Sequence, residues 1–83
     1  MNKDLLIKQL LYRSAYRGCK ETDILLGKFI VGKISEFGDE KLQLYQKFIQ
    51  EDDALIYDWI LNKSDAPDSY LALIQEIRIF HDI

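Results

Sequence analysis

The segment ETDILLGKFIVGKISE, residues 21–36, has the helical period that the rest of the chain repeats. Its large apolar residues recur three and four positions apart, at Leu25, Leu26, Phe29, Ile30 and Ile34. That spacing places them on one side of an α-helix, whereas a β-strand would need strict alternation. The pattern therefore predicts a helix over residues 21–36 with a wide apolar face.

Four further segments repeat this period on either side of residues 21–36. The additional predicted helices cover residues 3–16, 39–50, 53–62 and 67–81. Short connections of this kind join neighbouring helices of a compact bundle. With 83 residues the chain has the size of one domain. We therefore expect an all-α fold, a compact five-helix bundle that forms a single domain over residues 1–83.

Glycine, aspartate and proline mark the predicted helix ends. Gly18 follows the first apolar stripe, where a glycine can take a left-handed conformation. Asp52 and Asp53 open the fourth helix as capping residues, and Pro67 suits the first turn of the fifth. Gly27 and Gly32 lie inside the second helix, where each should weaken it by roughly 1 kcal/mol relative to Ala. Either they permit a close approach between helices or that helix is locally loose.

Composition excludes several classes of function. One cysteine and one histidine, Cys19 and His81, make neither an internal disulfide nor the usual ligand set of a zinc site. No uncharged stretch approaches the roughly 20 apolar residues that a membrane-spanning helix needs. Residues 1–8 resemble neither a secretory signal nor a transit peptide. These observations predict a bacterial cytoplasmic protein, with a processed organellar protein as the alternative, and neither a metal site nor membrane insertion.

The net charge of −3 argues against nucleic acid as a partner, since proteins that bind it usually carry a basic surplus. The charge is unevenly distributed along the chain. Residues 1–33 hold seven Lys/Arg and three Asp/Glu, a net of +4, and residues 34–83 hold four and eleven, a net of −7. Either the helices interleave so that the asymmetry disappears, or the first third presents a basic patch to an acidic partner or ligand.

No pattern in the sequence indicates a catalytic site. A nucleophile–base pair would have to combine Cys19 with His81, at opposite ends of the chain. Paired carboxylates such as Asp39 and Glu40 lie at predicted helix starts, where capping explains them. We therefore expect the chain not to be an enzyme and assign no catalytic residue.

The segment from Arg13 to Asp23, RSAYRGCKETD, is dense in charge and connects the first two predicted helices. It is either an ordinary solvated turn or a rigid polar recognition surface. In the second interpretation Gly18 lets a partner's backbone approach, Arg17 offers a forked donor and Glu21 offers an acceptor. The candidate partner-binding residues are Arg13, Tyr16, Arg17, Gly18, Cys19, Lys20, Glu21 and Asp23.

Five stretches of the chain resemble the SdhE family of succinate dehydrogenase FAD assembly factors. Arg17–Glu21 fits the family's R-G-x-x-E motif, and Leu11–Ser14 is similar to the end of its first helix. Glu21–Phe29 resembles its E-x-D-x-x-L-x-x-F stretch, and Asp52–Ile60 resembles its D-D-x-D-L-x-x-W-L region. Leu44–Phe48 is similar to the leucine-and-aromatic pattern of its third helix. The resemblance covers about residues 10–78.

This resemblance implies a five-helix bundle and a chaperone-like, non-catalytic role. It implies binding to the flavoprotein subunit of succinate dehydrogenase, with that of fumarate reductase as a further client. The factor would promote covalent attachment of FAD to a histidine of that subunit. It would hold no permanent cofactor and act on the FAD of its partner. Arg17, Gly18 and Glu21 would lie against the flavoprotein.

The sequence departs from the family pattern within the motif region. Tyr16 stands where many members have a second arginine, and Arg13, one helical turn away, is the candidate substitute. Cys19 stands where methionine is frequent, and Thr22 where leucine is frequent. Two alternative functions remain on the residues alone. They are a generic helical interaction module with a different partner, and an enzyme that uses Cys19 as its nucleophile.

Overall fold

The computed structural model describes residues 3–83 and shows five α-helices packed around one core. These residues include no β-strand, so the prediction of an all-α five-helix bundle is confirmed. The helices are α1 Lys3–Ala15, α2 Lys20–Lys33, α3 Asp39–Phe48, α4 Asp53–Ile60 and α5 Leu71–His81. None of the helices within residues 3–83 combines the length and apolar character needed to cross a bilayer.

Two of the predicted helices have a 3₁₀ turn at one end, where their apolar pattern predicted α-helix. α2 stops at Lys33, and a 3₁₀ turn follows at Ile34–Glu36, where the Phe37 amide donates to the Ile34 carbonyl over 3.1 Å. This tight turn carries the Phe37 ring into the core. Before α5, a 3₁₀ turn at Asp68–Tyr70 occupies the start of the predicted helix. Such 3₁₀ turns are common at helix ends, so the periodicity located the helices better than their limits.

The core forms around α2, whose residues Leu26, Phe29 and Ile30 are completely buried. Fully burying side chains of this size stabilises the fold by roughly 1.5–3 kcal/mol each. Aromatic rings surround these residues in a continuous cluster with centroid separations between 5.2 and 6.3 Å. The rings of this cluster are Phe29, Phe37, Tyr45, Phe48, Trp59 and Tyr70.

The two glycines inside α2 lie at close helix–helix contacts. A Cβ atom on Gly27 would lie 3.4 Å from the Ala15 Cα of α1, and one on Gly32 would lie 3.0 Å from the Phe80 Cε1 of α5. Both distances are at or below ordinary van der Waals contact. Of the two explanations that the sequence allowed, the close approach of neighbouring helices is therefore the one that the structure supports.

A buried polar contact joins α1 to α3. The Ser14 hydroxyl donates to the Leu10 carbonyl over 2.7 Å, and the Tyr45 hydroxyl lies 2.7 Å from the Ser14 oxygen. Because the serine proton is committed to Leu10, Tyr45 donates to Ser14. Burial raises the pKa of Tyr45 well above its ordinary value. The hydrogen bond fixes the last turn of α1, which leads directly into the candidate recognition segment.

Candidate partner-binding site

Residues 16–19 connect α1 to α2 in a short turn with one unusual backbone conformation. Gly18 has φ +97°, a region that L-amino acids with a side chain rarely adopt. Cys19 follows in an extended conformation at the N-cap of α2, and its carbonyl accepts a 2.8 Å hydrogen bond from the Asp23 amide. The positive φ predicted for Gly18 is confirmed. We call residues 13–23 the α1–α2 corner.

Arg17 is largely enclosed within the bundle. Its side chain is only 9% exposed, and its Nε lies 2.5 Å from Asp53 Oδ1. Its Nη2 donates to the Glu51 carbonyl over 2.9 Å, and its backbone amide donates to Asp23 Oδ1 over 2.6 Å. The expected outward-facing forked donor is thus mostly engaged inside the chain, because the turn directs the guanidinium toward the start of α4.

Two groups accept hydrogen bonds from the Arg17 side chain, the Glu51 carbonyl in the α3–α4 connection and the Asp53 carboxylate at the start of α4. The sequence predicted Asp53 only as a capping residue and did not indicate its contact with Arg17. Asp52 caps α4 as predicted, since its Oδ2 accepts from the Ala54 amide over 3.1 Å. The adjacent Asp53 faces Arg17 instead. Arg17 and Asp53 lie 36 positions apart in the chain, and only the tertiary structure brings them together. No local sequence pattern could therefore reveal this pair.

Glu51 links this anchor to the aromatic core. Its side chain accepts a 2.9 Å hydrogen bond from the Tyr70 hydroxyl. Burial and the neighbouring Glu51 carboxylate together raise the pKa of Tyr70. The Tyr70 ring packs against Phe48 and Trp59 at centroid separations of 5.2 and 5.9 Å. Through Glu51 and Tyr70, the contacts of Arg17 are therefore connected to the aromatic core.

The other candidate residues differ in their exposure. Arg13, Tyr16, Gly18, Lys20 and Glu21 are exposed, whereas Cys19 and Asp23 are half-buried. Apart from most of Arg17 and the fully buried Ser14 and Thr22, the corner is therefore accessible from outside. The structure brings the candidate residues together on one end of the α1–α2 pair. That they contact a partner stays a prediction.

Cys19 makes only local contacts. Its thiol lies 3.5 Å from Glu21 Oε2 and accepts a hydrogen bond from the buried Thr22 hydroxyl over 3.4 Å. The histidine that could have served it as a base, His81, lies with Nε2 2.7 Å from the Leu25 carbonyl of α2. In residues 3–83 no group of His, Cys, Asp and Glu is arranged to hold a metal ion.

Tyr16, a candidate residue of the corner, forms an exposed aromatic pair with Tyr12, which was not selected from the sequence. The rings of Tyr12 and Tyr16 lie 4.9 Å apart, and the two residues are 66% and 70% exposed. With Arg13, Arg17 and Ile49 they line a shallow pocket. The spacing of four positions on a predicted helix was the available signal, because it places both rings on one face.

The uneven charge of the sequence is partly cancelled in space. Lys3 of α1 lies 3.4 Å from Asp39 of α3, and Arg17 pairs with Asp53 of α4. Both bridges join the basic first third of the chain to its acidic remainder. The exposed positive charge at the corner is therefore limited to Arg13 and Lys20, beside the exposed carboxylate of Glu21.

Residues 8–81 match the family described as "Flavinator of succinate dehydrogenase". The chain is also similar to proteins named "Succinate dehydrogenase assembly factor 2, mitochondrial". It is 38% identical over 63 residues to that of Dictyostelium discoideum, covering 76% of this chain and 45% of the relative. It is 37% identical over 76 residues to that of Debaryomyces hansenii, covering 82% and 54%. It is 40% identical over 60 residues to that of Aspergillus terreus, covering 72% and 20%.

The chain thus spans about half, or less, of the length of these curated relatives. No solved structure matches it. The names of the relatives overturn the prediction of a bacterial cytoplasmic protein, because all three are mitochondrial proteins of eukaryotes. That prediction was wrong. It rested on the composition of residues 1–8, which carries no information on compartment when the chain matches only part of longer proteins.

Proposed function

The chain belongs to the family of flavinators of succinate dehydrogenase, and from that premise we propose that it binds the flavoprotein subunit of this enzyme and promotes covalent attachment of its FAD. The match over residues 8–81 is the observation that carries the proposal, because it includes most of α1 and all of α2 to α5. The bond-forming chemistry belongs to the flavoprotein and its flavin. The chain acts as a non-catalytic assembly factor.

The α1–α2 corner is the docking surface in this proposal. Gly18 is exposed, and a Cβ atom built on it would meet no other atom within 4 Å, so a partner's backbone can come close at this point. Glu21 is exposed in the first turn of α2 and offers a carboxylate to donors on the partner. The exposed Tyr12–Tyr16 pair supplies the large rigid contact area that is typical of interface centres.

A rigid docking surface assists flavinylation by selecting one arrangement of the partner. Covalent attachment requires the histidine and the flavin methyl carbon to be held in near-attack geometry, with negative charge on the ring system stabilised. A protein that binds only the productive arrangement shifts the population of the flavoprotein toward it. The factor therefore needs a fixed shape and affinity for one state, and it needs no catalytic group of its own.

The test measures covalent flavin on the purified flavoprotein subunit, mixed with FAD and with this chain or a variant of it. We expect the chain to co-purify with the subunit and to raise the covalently modified fraction seen by mass spectrometry. Glu21→Ala should weaken docking by roughly 2–4 kcal/mol if the contact is buried, because a partner group is left unpaired. Gly18→Arg should block docking by steric conflict.

The chain offers an exposed control position for each variant, and Gly18→Ala, which adds the same backbone strain without a long side chain, separates strain from steric conflict. Gly38 is an exposed glycine with no atom within 4 Å of a Cβ built on it, and Glu40 is an exposed glutamate in the first turn of α3. Gly38→Arg and Glu40→Ala should therefore leave docking and covalent flavin unchanged. Normal covalent flavin with both corner variants would remove the corner from the mechanism. Co-purification with a different protein would favour a general interaction module.

A further inference from the structure

We infer that Asp53 and Arg17 are positioning residues, whose ion pair fastens the α1–α2 corner to the start of α4 and holds Gly18 and Glu21 in one arrangement for docking. The inference rests on the proposed function, since it concerns how that same surface is kept ready for its partner. It assigns a role to Asp53, and it changes the role of Arg17 from partner contact to internal anchor.

The position of Arg17 immediately before Gly18 is the first reason. Glycine has the greatest backbone freedom of any residue, and a turn built on it keeps one shape only if its neighbours are held. Arg17 is held at three points. Its backbone amide donates to Asp23 Oδ1 over 2.6 Å. Its side chain donates from Nε to Asp53 Oδ1 over 2.5 Å and from Nη2 to the Glu51 carbonyl over 2.9 Å.

The base of this anchor is the second reason. The Glu51 amide donates to the Phe48 carbonyl at the end of α3, and the Glu51 side chain accepts from Tyr70. Asp53 lies in the first turn of α4, where Asp52 already provides the cap. Neither acceptor of the Arg17 side chain can move without disturbing a helix end or the aromatic core. The corner is thus joined to the start of α4 and, through Glu51 and Tyr70, to the aromatic core.

The enclosure of Arg17 is the third reason. With its side chain 9% exposed and Asp53 27% exposed, most of the guanidinium is covered before any partner arrives. A direct contact through the whole fork would require this pair to break and leave Asp53 without its partner, which is unfavourable for a largely buried charge. The exposed residues on either side, Tyr16 and Gly18, remain free to meet the flavoprotein.

The experiment removes the anchor without touching the exposed corner. Asp53→Ala is compared with Glu76→Ala, because Glu76 forms an ion pair of the same 2.5 Å length with Lys41 elsewhere in the bundle. Hydrogen exchange of the isolated chain is measured at residues 17–23 and at the core residues Leu73 and Ile77. Affinity for the flavoprotein subunit is then measured for each variant.

We expect Asp53→Ala to speed exchange at residues 17–23 by a factor about tenfold larger than at the core residues, and to weaken docking at least tenfold. Glu76→Ala should change none of these. Arg17→Ala combined with Asp53→Ala should dock no more weakly than Arg17→Ala alone, because both act through one contact. Asp53→Glu should restore part of the affinity. If Asp53→Ala unfolds the chain, Asp53→Asn provides the same comparison with a side chain of equal shape.

Unchanged exchange and affinity in the Asp53 variants would overturn the inference and leave the proposed function standing. Exchange accelerated by the same factor at residues 17–23 and at the core residues would also overturn it, since this would indicate only a general loss of stability. If the unmodified chain fails to bind the flavoprotein, the proposed function is wrong. The exchange measurements on the isolated chain would still decide whether Asp53 holds the corner.

Discussion

The turn after α1 and the turn after α4 solve the same backbone problem in different ways. Each contains a residue with positive φ, Gly18 at +97° and Asn62 at +60°. The second turn is closed by backbone hydrogen bonds to α4 itself, from the Asn62 amide to the Trp59 carbonyl and from the Lys63 amide to the Asp58 carbonyl. The Arg78 side chain of α5 bonds the Ile60 carbonyl just before this turn, and no side chain of the turn itself reaches the interior in this way. The first is anchored through the Arg17 side chain to residues 34 and 36 positions away.

This difference shows which turn is built for a fixed shape. Local backbone bonds end a helix, and they leave the following exposed residues, such as Ser64 and Asp65, at the surface. A side-chain anchor in the interior also fixes how the turn is oriented against the rest of the molecule. A surface that binds a partner needs a fixed orientation. The nearly buried Arg17 side chain provides one for the first turn, which agrees with the proposed docking role.

The largest expected effect comes from breaking the anchor of the first turn. Arg17→Ala should lower the free energy of unfolding by about 2–3 kcal/mol, because it removes two side-chain hydrogen bonds and leaves Asp53 partly buried without a counter-charge. Lys63→Ala in the second turn removes only a Lys63–Tyr57 cation–π contact at 5.7 Å and should lower it by about 0.5 kcal/mol. Urea denaturation followed by circular dichroism measures both. Equal losses would contradict the comparison.

A smaller effect is expected from the positive φ itself. Gly18→Ala should destabilise the chain by about 2 kcal/mol through backbone strain alone, since the added Cβ meets no other atom within 4 Å. Asn62→Gly should change stability by about 0.5 kcal/mol or less, because asparagine already tolerates this conformation. Thermal and urea denaturation check both variants. A stable Gly18→Ala chain would show that the first turn can adopt another conformation.

The smallest effect concerns the Tyr45–Ser14 hydrogen bond beneath the first turn. Burial raises the pKa of the Tyr45 hydroxyl in the folded chain above its unfolded value of about 10. The stability that comes from keeping this hydroxyl neutral is therefore fully present below about pH 10 and is lost as the pH rises toward the raised pKa. Tyr45→Phe should therefore reduce the loss of unfolding free energy between pH 9 and pH 11 by about 1.4 kcal/mol. Urea denaturation at the two pH values measures it, and identical pH profiles would contradict the assignment.

Much of the fold followed from local patterns. Apolar periodicity located all five helices, and Asp52 and Gly18 marked a helix start and a turn correctly. The exact end of α2 did not follow, because Phe37 enters the core through a 3₁₀ turn that helical periodicity does not distinguish. Likewise, the pattern located Gly27 and Gly32 inside α2. Only the structure showed that they lie against Ala15 and Phe80, where a larger side chain would be too close.

The sequence by itself determined the helical class of this protein, the position of its candidate recognition segment and its resemblance to an assembly-factor family. Each depends on residues close together in the chain, where spacing and side-chain type carry the information. Only the tertiary structure decided that Arg17 turns inward to Asp53 and Glu51 and that Gly18 and Glu21 stay outside. The reason is physical. A contact between residues 36 positions apart depends on how whole helices pack, and the spacing of residues within one helix does not determine that packing.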